Sequence, residues 1–255
     1  MVPVLALLLP PGAAAVAEAP APLVLHYEAY AAGIPVLTLD FRLAEQPAAY
    51  EVSGFVKAVG LLRLFSSYTL NTESRGGIAA DDLHPAHHDT ASGSRGRERH
   101  VHLDYRGDGT VSAVLNPPED PGRPVPSARQ IIGTVDPLTA ILAMSRSFRQ
   151  TGRCGVTMPV FDGRRRYDLV LTDEGAEPVG ATAGDAYRGV ARRCHVDMIK
   201  IAGFSWDRDY SPHTNHGRVW IAEPRPGAPP LPVRLDFASD WGPITVKMVK
   251  VDAAK

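Results

Sequence analysis

The sequence predicts a mainly β protein with antiparallel strands and one principal helix. Three observations lead there. Apolar and polar residues alternate with a period of two in several segments, the mark of strands with one buried face. Gly and Pro number 23 each among 255 residues, above the usual ~7% and ~5%, which implies many turns and short strands. One stretch, from 136 to 152, combines a helix start signal with apolar residues on one face.

Taken in order, Leu23, Leu25 and Tyr27 point one way while Val24, His26 and Glu28 point the other. Leu37, Leu39, Phe41 and Leu43 alternate with Thr38, Asp40 and Arg42. Gly60 to Phe65 is a helical candidate, with strand as the alternative. Asp81 to Glu98 holds few apolar residues and reads as a polar loop. Val101, Leu103 and Tyr105 alternate with His100, His102 and Asp104, so both histidines are expected to face solvent. Arg106 to Gly109 is a turn, and Val111 to Leu115 returns as the partner strand. Asn116 to Ser127 is a proline-rich surface loop. Asp136 caps the helix and Pro137 suits its first turn; Leu138, Ile141, Leu142, Ser145 and Phe148 share one face, and the helix ends near Gly152. Asp162-Gly163 suits a type I′ turn joining Gly155–Phe161 to Arg165–Leu171. Further strands are expected at Asp185–Ile201, Arg218–Glu223, Pro232–Phe237 and Ile244–Val251.

Val2 to Leu9 is almost wholly apolar, and Ala15-Val16-Ala17 forms an A-x-A cleavage site before Glu18. Residues 1–17 therefore read as a secretory signal peptide, and 18–255 as a single β-rich domain. No Lys or Arg precedes the apolar run; a wrongly assigned start codon would account for that, and a disordered or strand-forming N-terminus is the alternative. Pro10, Pro11 and Gly12 break the run short of the ~20 residues a membrane-crossing helix needs. No transmembrane span is expected elsewhere. An exported chain meets an oxidising compartment, where the two cysteines, Cys154 and Cys194, are expected to pair; two buried free thiols are the alternative. The net charge of −1 supplies no field for nucleic acid or an anionic membrane.

Chemistry-bearing motifs are sparse. His84, His87 and His88 lie together, a density that suits zinc or copper, although Pro85 argues against a helix through them. A polar surface loop is the plainer reading, and His213 with His216 stands in the same position. No G-x-S-x-G elbow, phosphate loop or dinucleotide motif occurs. No cofactor is expected. Arg164, Arg165 and Arg166 follow the hairpin turn, and Arg192 and Arg193 precede Cys194; if close in space they would suit an anionic headgroup. Trp206, Trp220 and Trp241 read as core or rim packing.

Several segments in order resemble a bacterial envelope family known as domain of unknown function 3108. They are Tyr27-Glu28-Ala29-Tyr30-Ala31-Ala32-Gly33, Val135-Asp136-Pro137-Leu138-Thr139-Ala140, Val160 to Asp168, Tyr187-Arg188-Gly189 leading into Cys194, and Val219-Trp220-Ile221 before Pro232-Val233-Arg234. The resemblance implies a periplasmic protein of a Gram-negative bacterium, whose curved antiparallel sheet forms an open half barrel similar to periplasmic lipoprotein carriers. It implies no catalytic residues. The main helix is then expected to pack on or near the concave face, beside which an apolar groove can form. Leu138, Ile141, Leu142 and Phe148 would line the groove, and Arg164, Arg165 and Arg166 would meet a headgroup. The leading expectation is a non-enzymatic protein that holds a lipid or other apolar ligand, or an envelope partner, in support of the cell envelope. Two alternatives stay open. One is a metal-assisted hydrolase of envelope polymers using His84, His87 and His88; the other is a structural or interaction protein with a dry, well-filled core.

Overall fold

A computed structural model of the chain describes residues 21–80, 82–119, 122–180, 184–205, 215–239 and 242–253. The expected leader, Trp206, His213 and Trp241 lie outside these residues. Thirteen described strands form one antiparallel sheet. The first seven are β1 (Leu23–Ala31), β2 (Ile34–Gln46), β3 (Ala49–Ala58), β4 (Thr69–Ala79), β5 (Asp82–Ser94), β6 (Arg97–Tyr105) and β7 (Val111–Asn116). The rest are β8 (Val156–Phe161), β9 (Arg166–Val179), β10 (Gly189–Ala202), β11 (His216–Ala222), β12 (Leu231–Ser239) and β13 (Gly242–Ala253). Three helices accompany them among the described residues: α1 (Leu62–Phe65), α2 (Ala128–Ile131) and α3 (Pro137–Thr151).

From β1 to β7, and again from β8 to β13, each strand pairs with its neighbour in sequence. The two meanders meet where β1 pairs with β13, with Leu25 opposite Val251 and Tyr27 opposite Met248. That leaves β7 and β8 as the edges, joined in sequence by the segment that holds α2 and α3. The sheet is therefore an open barrel. Unpaired edges invite aggregation, and here the seam is covered. Val135 N donates to Pro159 O at 2.9 Å and Phe161 N donates to Val135 O at 2.9 Å, so a residue two positions before α3 occupies the free edge of β8. Across the seam, Phe161 packs with Val101 and Leu103 of β6 in a small apolar cluster.

Gly163 sits at the tip of the β8–β9 hairpin with φ +92°, and a Cβ there would run into Val101 Cγ1. Gly163→Ala is expected to destabilise the fold by about 2 kcal/mol, through left-handed strain and overpacking of the seam. A lower urea midpoint at unchanged slope checks this.

Two larger clusters form the core. One joins Leu23, Leu25 and Tyr27 of β1 to Leu138 and Leu142 of α3 and to Val233 and Met248 of the second meander. The other joins Ala140 and Met144 of α3 to Met158, Leu171, Val219 and Ile221. Both include α3, which lies on the concave face as expected.

Three expectations need correction. The loop expected over 81–98 is a strand from 82 to 94: β5 pairs on both sides, with β4 and β6. Its inward positions are polar because they serve a buried hydrogen-bond network described below. The β8–β9 turn is not type I′, because Gly163 has positive φ and Asp162 does not. Instead the Asp162 carboxylate accepts from Arg164 N at 2.9 Å and Arg165 N at 2.7 Å, which lets the side chain organise the turn. The two arginine clusters do not meet. Arg166 pairs with Ala202 and Ala176 pairs with Arg192, ten positions apart along β9, or about 33 Å at the strand rise.

Candidate functional site

Helix α3 is the element that makes a site. Its sequence fixes both ends. Asp136, fully buried, accepts from Leu138 N at 2.9 Å and Thr139 N at 3.0 Å, and Gly152 ends the helix in the left-handed conformation at φ 65°. Asp136 also reaches the sheet. Ser74 Oγ of β4 donates to its Oδ1 at 2.5 Å, Thr139 Oγ1 donates to its Oδ2 at 2.5 Å, and His88 Nδ1 of β5 lies 3.3 Å away.

The proton directions follow from the inventory of donors. Ser74 gives its one hydroxyl proton to Asp136, so its oxygen accepts from His88 Nδ1 at 2.8 Å. Thr139 gives its proton to Asp136, so Tyr50 OH donates to Thr139 Oγ1 at 2.8 Å. His88 Nε2 completes the ring's bonding with Thr90 Oγ1 at 2.9 Å, and Thr90 Oγ1 meets Thr72 Oγ1 at 3.1 Å. Burial pushes the Asp136 carboxyl up, but the His88, Ser74 and Thr139 donors outweigh burial and hold it below the usual carboxylate range.

Ser, His and Asp side by side invite comparison with a hydrolase triad, and the geometry is different. In a triad the serine and the aspartate occupy opposite ring nitrogens. Here both contact Nδ1, and Ser74 and Asp136 are fully buried, where no substrate reaches them. This cluster is an anchor for α3.

The other end of α3 is held by the Cys154–Cys194 disulfide, which joins the third residue after the helix to β10 at a Cα–Cα distance of 5.9 Å. Between the two anchors, Arg146 donates to Glu45 of β2 at 3.2 Å. A helix held this way spans the concave face as a fixed strap.

Beneath the strap lies an apolar cavity of about 290 Å³, near the small end of the ligand-pocket range of about 300–1,000 Å³. Its roof is Leu138, Ala140, Ile141, Leu142 and Met144 of α3. One wall is Leu25, Tyr27, Leu39 and Phe41; the other includes Met158, Leu171, Val196, Val219 and Leu235. The Tyr27 hydroxyl is the polar side-chain atom among these, and it donates to Pro232 O at 2.9 Å. Ile141 is 40% exposed, so it stands where the cavity meets solvent.

Of the residues the sequence singled out, Leu138, Ile141 and Leu142 line this cavity; Phe148 packs at the edge of the second core cluster instead. The three arginines are elsewhere and engaged. Arg164 bonds Glu119 and Pro117 O, Arg166 bonds Asp168 and Gln130 O, and Arg165 stacks on Phe204. Together Arg164 and Arg166 fasten the crossover segment to the β8–β9 hairpin. His84, His87 and His88 do not converge. His87 and His88 are consecutive on β5 and point to opposite faces, His88 is buried against Asp136, and His84 is exposed. Trp220 is in the core, its indole donating to Glu177 at 2.7 Å.

Sequence reasoning missed Ser74, Thr139 and Tyr50 as partners of Asp136. It found Asp136 and His88 separately, as a cap and as a metal candidate, and no spacing rule joins residues 74, 88 and 136. The sheet-side lining of the cavity was also unassigned, although its alternation was visible in β1 and β2.

The profile of the family described as "Protein of unknown function (DUF3108)" matches residues 26–249. No curated protein matches the chain. Among solved structures, the chain is similar to the β-barrel-like protein of domain of unknown function DUF1849 from Brucella abortus. The TM-score is 0.53 at 10% identity, covering 93% of this chain and 98% of that one. That likeness concerns the fold alone, and it agrees with a barrel-like sheet left open between β7 and β8. With its family profile matched over nearly all the described residues, the chain belongs to the DUF3108 family of proteins of unknown function.

Proposed function

We propose that this protein holds one apolar chain of the acyl type in the cavity beneath α3, as a non-catalytic carrier or sensor exported to the periplasm. The observation that carries the reading is the cavity's lining: apolar side chains throughout, with the Tyr27 hydroxyl already bonded to the backbone. An apolar ligand loses no hydrogen bonds on entering such a site and removes its own surface from water at about 25 cal/mol per Å². A filled core was the expectation for a pure interaction protein, and a cavity of this size weighs against that alternative. The disulfide supports an oxidising compartment. Because Arg164 and Arg166 are bonded to the crossover segment, the chain enters past Ile141 without a guanidinium clamp.

Titration of a fluorescent fatty acid into the oxidised protein tests the reading. Saturable one-to-one uptake is expected. Ile141→Trp, which fills the mouth from a half-exposed position, is expected to weaken uptake at least ~10-fold, as the lost burial of two CH₂ groups alone would. Arg164→Ala is expected to leave affinity unchanged while lowering stability. Absence of saturable uptake, or equal affinity in Ile141→Trp, rejects the proposal.

A further inference from the structure

The outer face of β5 and β6 carries a second constellation, unrelated to the cavity. His88 and Leu103 point inward, so their neighbours His87, Asp89, His102 and Asp104 point outward. The register places His87 opposite Asp104 and Asp89 opposite His102, two adjacent cross-strand pairs that form a square. Cross-strand pairs of this kind bring side chains within about 5 Å. The contacts are specific. Asp104 Oδ1 lies 2.6 Å from His87 Nδ1, and its Oδ2 lies 3.1 Å from His102 Nε2. The two imidazoles stack with centroids 6.3 Å apart. Donor atoms of His87, His102 and Asp104 all lie within 4.8 Å of one another.

Two imidazole nitrogens and one carboxylate oxygen are a donor set suited to Zn²⁺ and its neighbours, which take nitrogen at about 2.0–2.1 Å and carboxylate oxygen at about 2.0–2.2 Å. Half-exposed side chains reach such a sphere by small rotations. The fourth member of the square matters independently. Asp89 Oδ1 lies 2.7 Å from His102 Nδ1, the ring nitrogen facing away from Asp104. A carboxylate on the far nitrogen fixes the tautomer and aims Nε2, as metal-ligating histidines require. Asp89 and His102 also line an outer groove of about 650 Å³, which leaves room for water or another oxygen ligand on the open side of an ion. On the flanking strands, Arg75 and Glu73 of β4 stand opposite His87 and Asp89, while Ser112 and Val114 of β7 stand opposite Asp104 and His102. The acidic members exceed the one flanking cation.

We infer that His87, His102 and Asp104 bind one divalent ion of the Zn²⁺ class, with Asp89 as the positioning residue for His102. The site differs from the His84–His87–His88 grouping that the sequence suggested, sharing His87 alone, and it stands whether or not the cavity holds an acyl chain.

Calorimetric titration of the oxidised full chain with Zn²⁺, and separately with Mg²⁺, tests it. One equivalent of Zn²⁺ is expected to bind, with no measurable Mg²⁺ binding, since Mg²⁺ prefers oxygen ligands. His102→Ala and Asp104→Asn are expected to lower Zn²⁺ affinity more than ~10-fold, and Asp89→Asn by about 10-fold through the outer shell alone. His84→Ala, and His195→Ala in the stacked His195–His216 pair, are expected to change nothing. All these side chains are exposed or partly so, and circular dichroism verifies that each variant is folded. No stoichiometric Zn²⁺ uptake overturns the inference. So does uptake that survives His102→Ala, or that is lost with His84→Ala or His195→Ala.

Discussion

Asp136→Ala is expected to destabilise the protein by about 3–5 kcal/mol. The carboxylate accepts two backbone N–H groups at the start of α3 and two hydroxyls, all from buried groups, and the buried His88 ring lies 3.3 Å away. Loss of a helix cap costs about 1 kcal/mol. Leaving the buried Ser74 and Thr139 hydroxyls without their acceptor adds about 1–3 kcal/mol for each that finds no other partner. Urea unfolding measures the difference. Asn would keep the volume and one acceptor oxygen, so Asp136→Asn is expected to fall between wild type and Ala. The pH dependence has a definite sign. The folded carboxyl lies below its ordinary value of 3.8, so the stability it contributes is fully present above that value and is lost as pH falls through the folded pKa. Wild type is therefore expected to lose stability below about pH 4, and Asp136→Asn to show a shallower acid limb. An unchanged midpoint in Asp136→Ala would show that α3 is anchored by other contacts.

The second large effect is expected at the other end of the helix. The Cys154–Cys194 bridge spans a sequence separation of 40, and the loop-entropy relation gives it about 4 kcal/mol. Against the 5–15 kcal/mol typical of folded domains, the double variant Cys154→Ala/Cys194→Ala would lose a large share of its stability. The same bridge ties the end of α3 to β10, so its removal frees one end of the strap over the cavity. Acyl-probe dissociation is then expected to accelerate in conditions where the variant is still folded. Equal stability of the oxidised protein and the double variant would mean that the bridge adds little constraint to the unfolded chain.

Residues explain what was legible in the sequence and what was not. β1 showed because Leu23, Leu25 and Tyr27 are buried in the core while their neighbours are not. α3 showed because Asp136, Pro137 and Gly152 mark its ends chemically. β4 and β5 were silent because their inward positions hold Thr72, Ser74, His88 and Thr90, a polar ladder that serves Asp136. Hydrophobic periodicity cannot report a strand whose buried face is polar. In β3 the pattern breaks at Gly54, which has no side chain because the Phe41 ring occupies its place: a Cβ there would sit 2.5 Å from that ring. The metal-ligand candidates were visible one by one, as His87 in a histidine-rich stretch and His102 in a strand. Their meeting depends on the β5–β6 register, and a segment without apolar alternation carries no sign of its register.

The carrier account stands on the space beneath α3. Native mass spectrometry of the oxidised protein, purified without detergent and compared before and after extraction with organic solvent, reads that space directly. The account predicts a defined lipid-sized adduct on the wild-type chain that organic solvent removes, that added fatty acid restores, and that is absent from Ile141→Trp. A bare wild-type chain that takes up no fatty acid, or an adduct unaffected by Ile141→Trp, would contradict it.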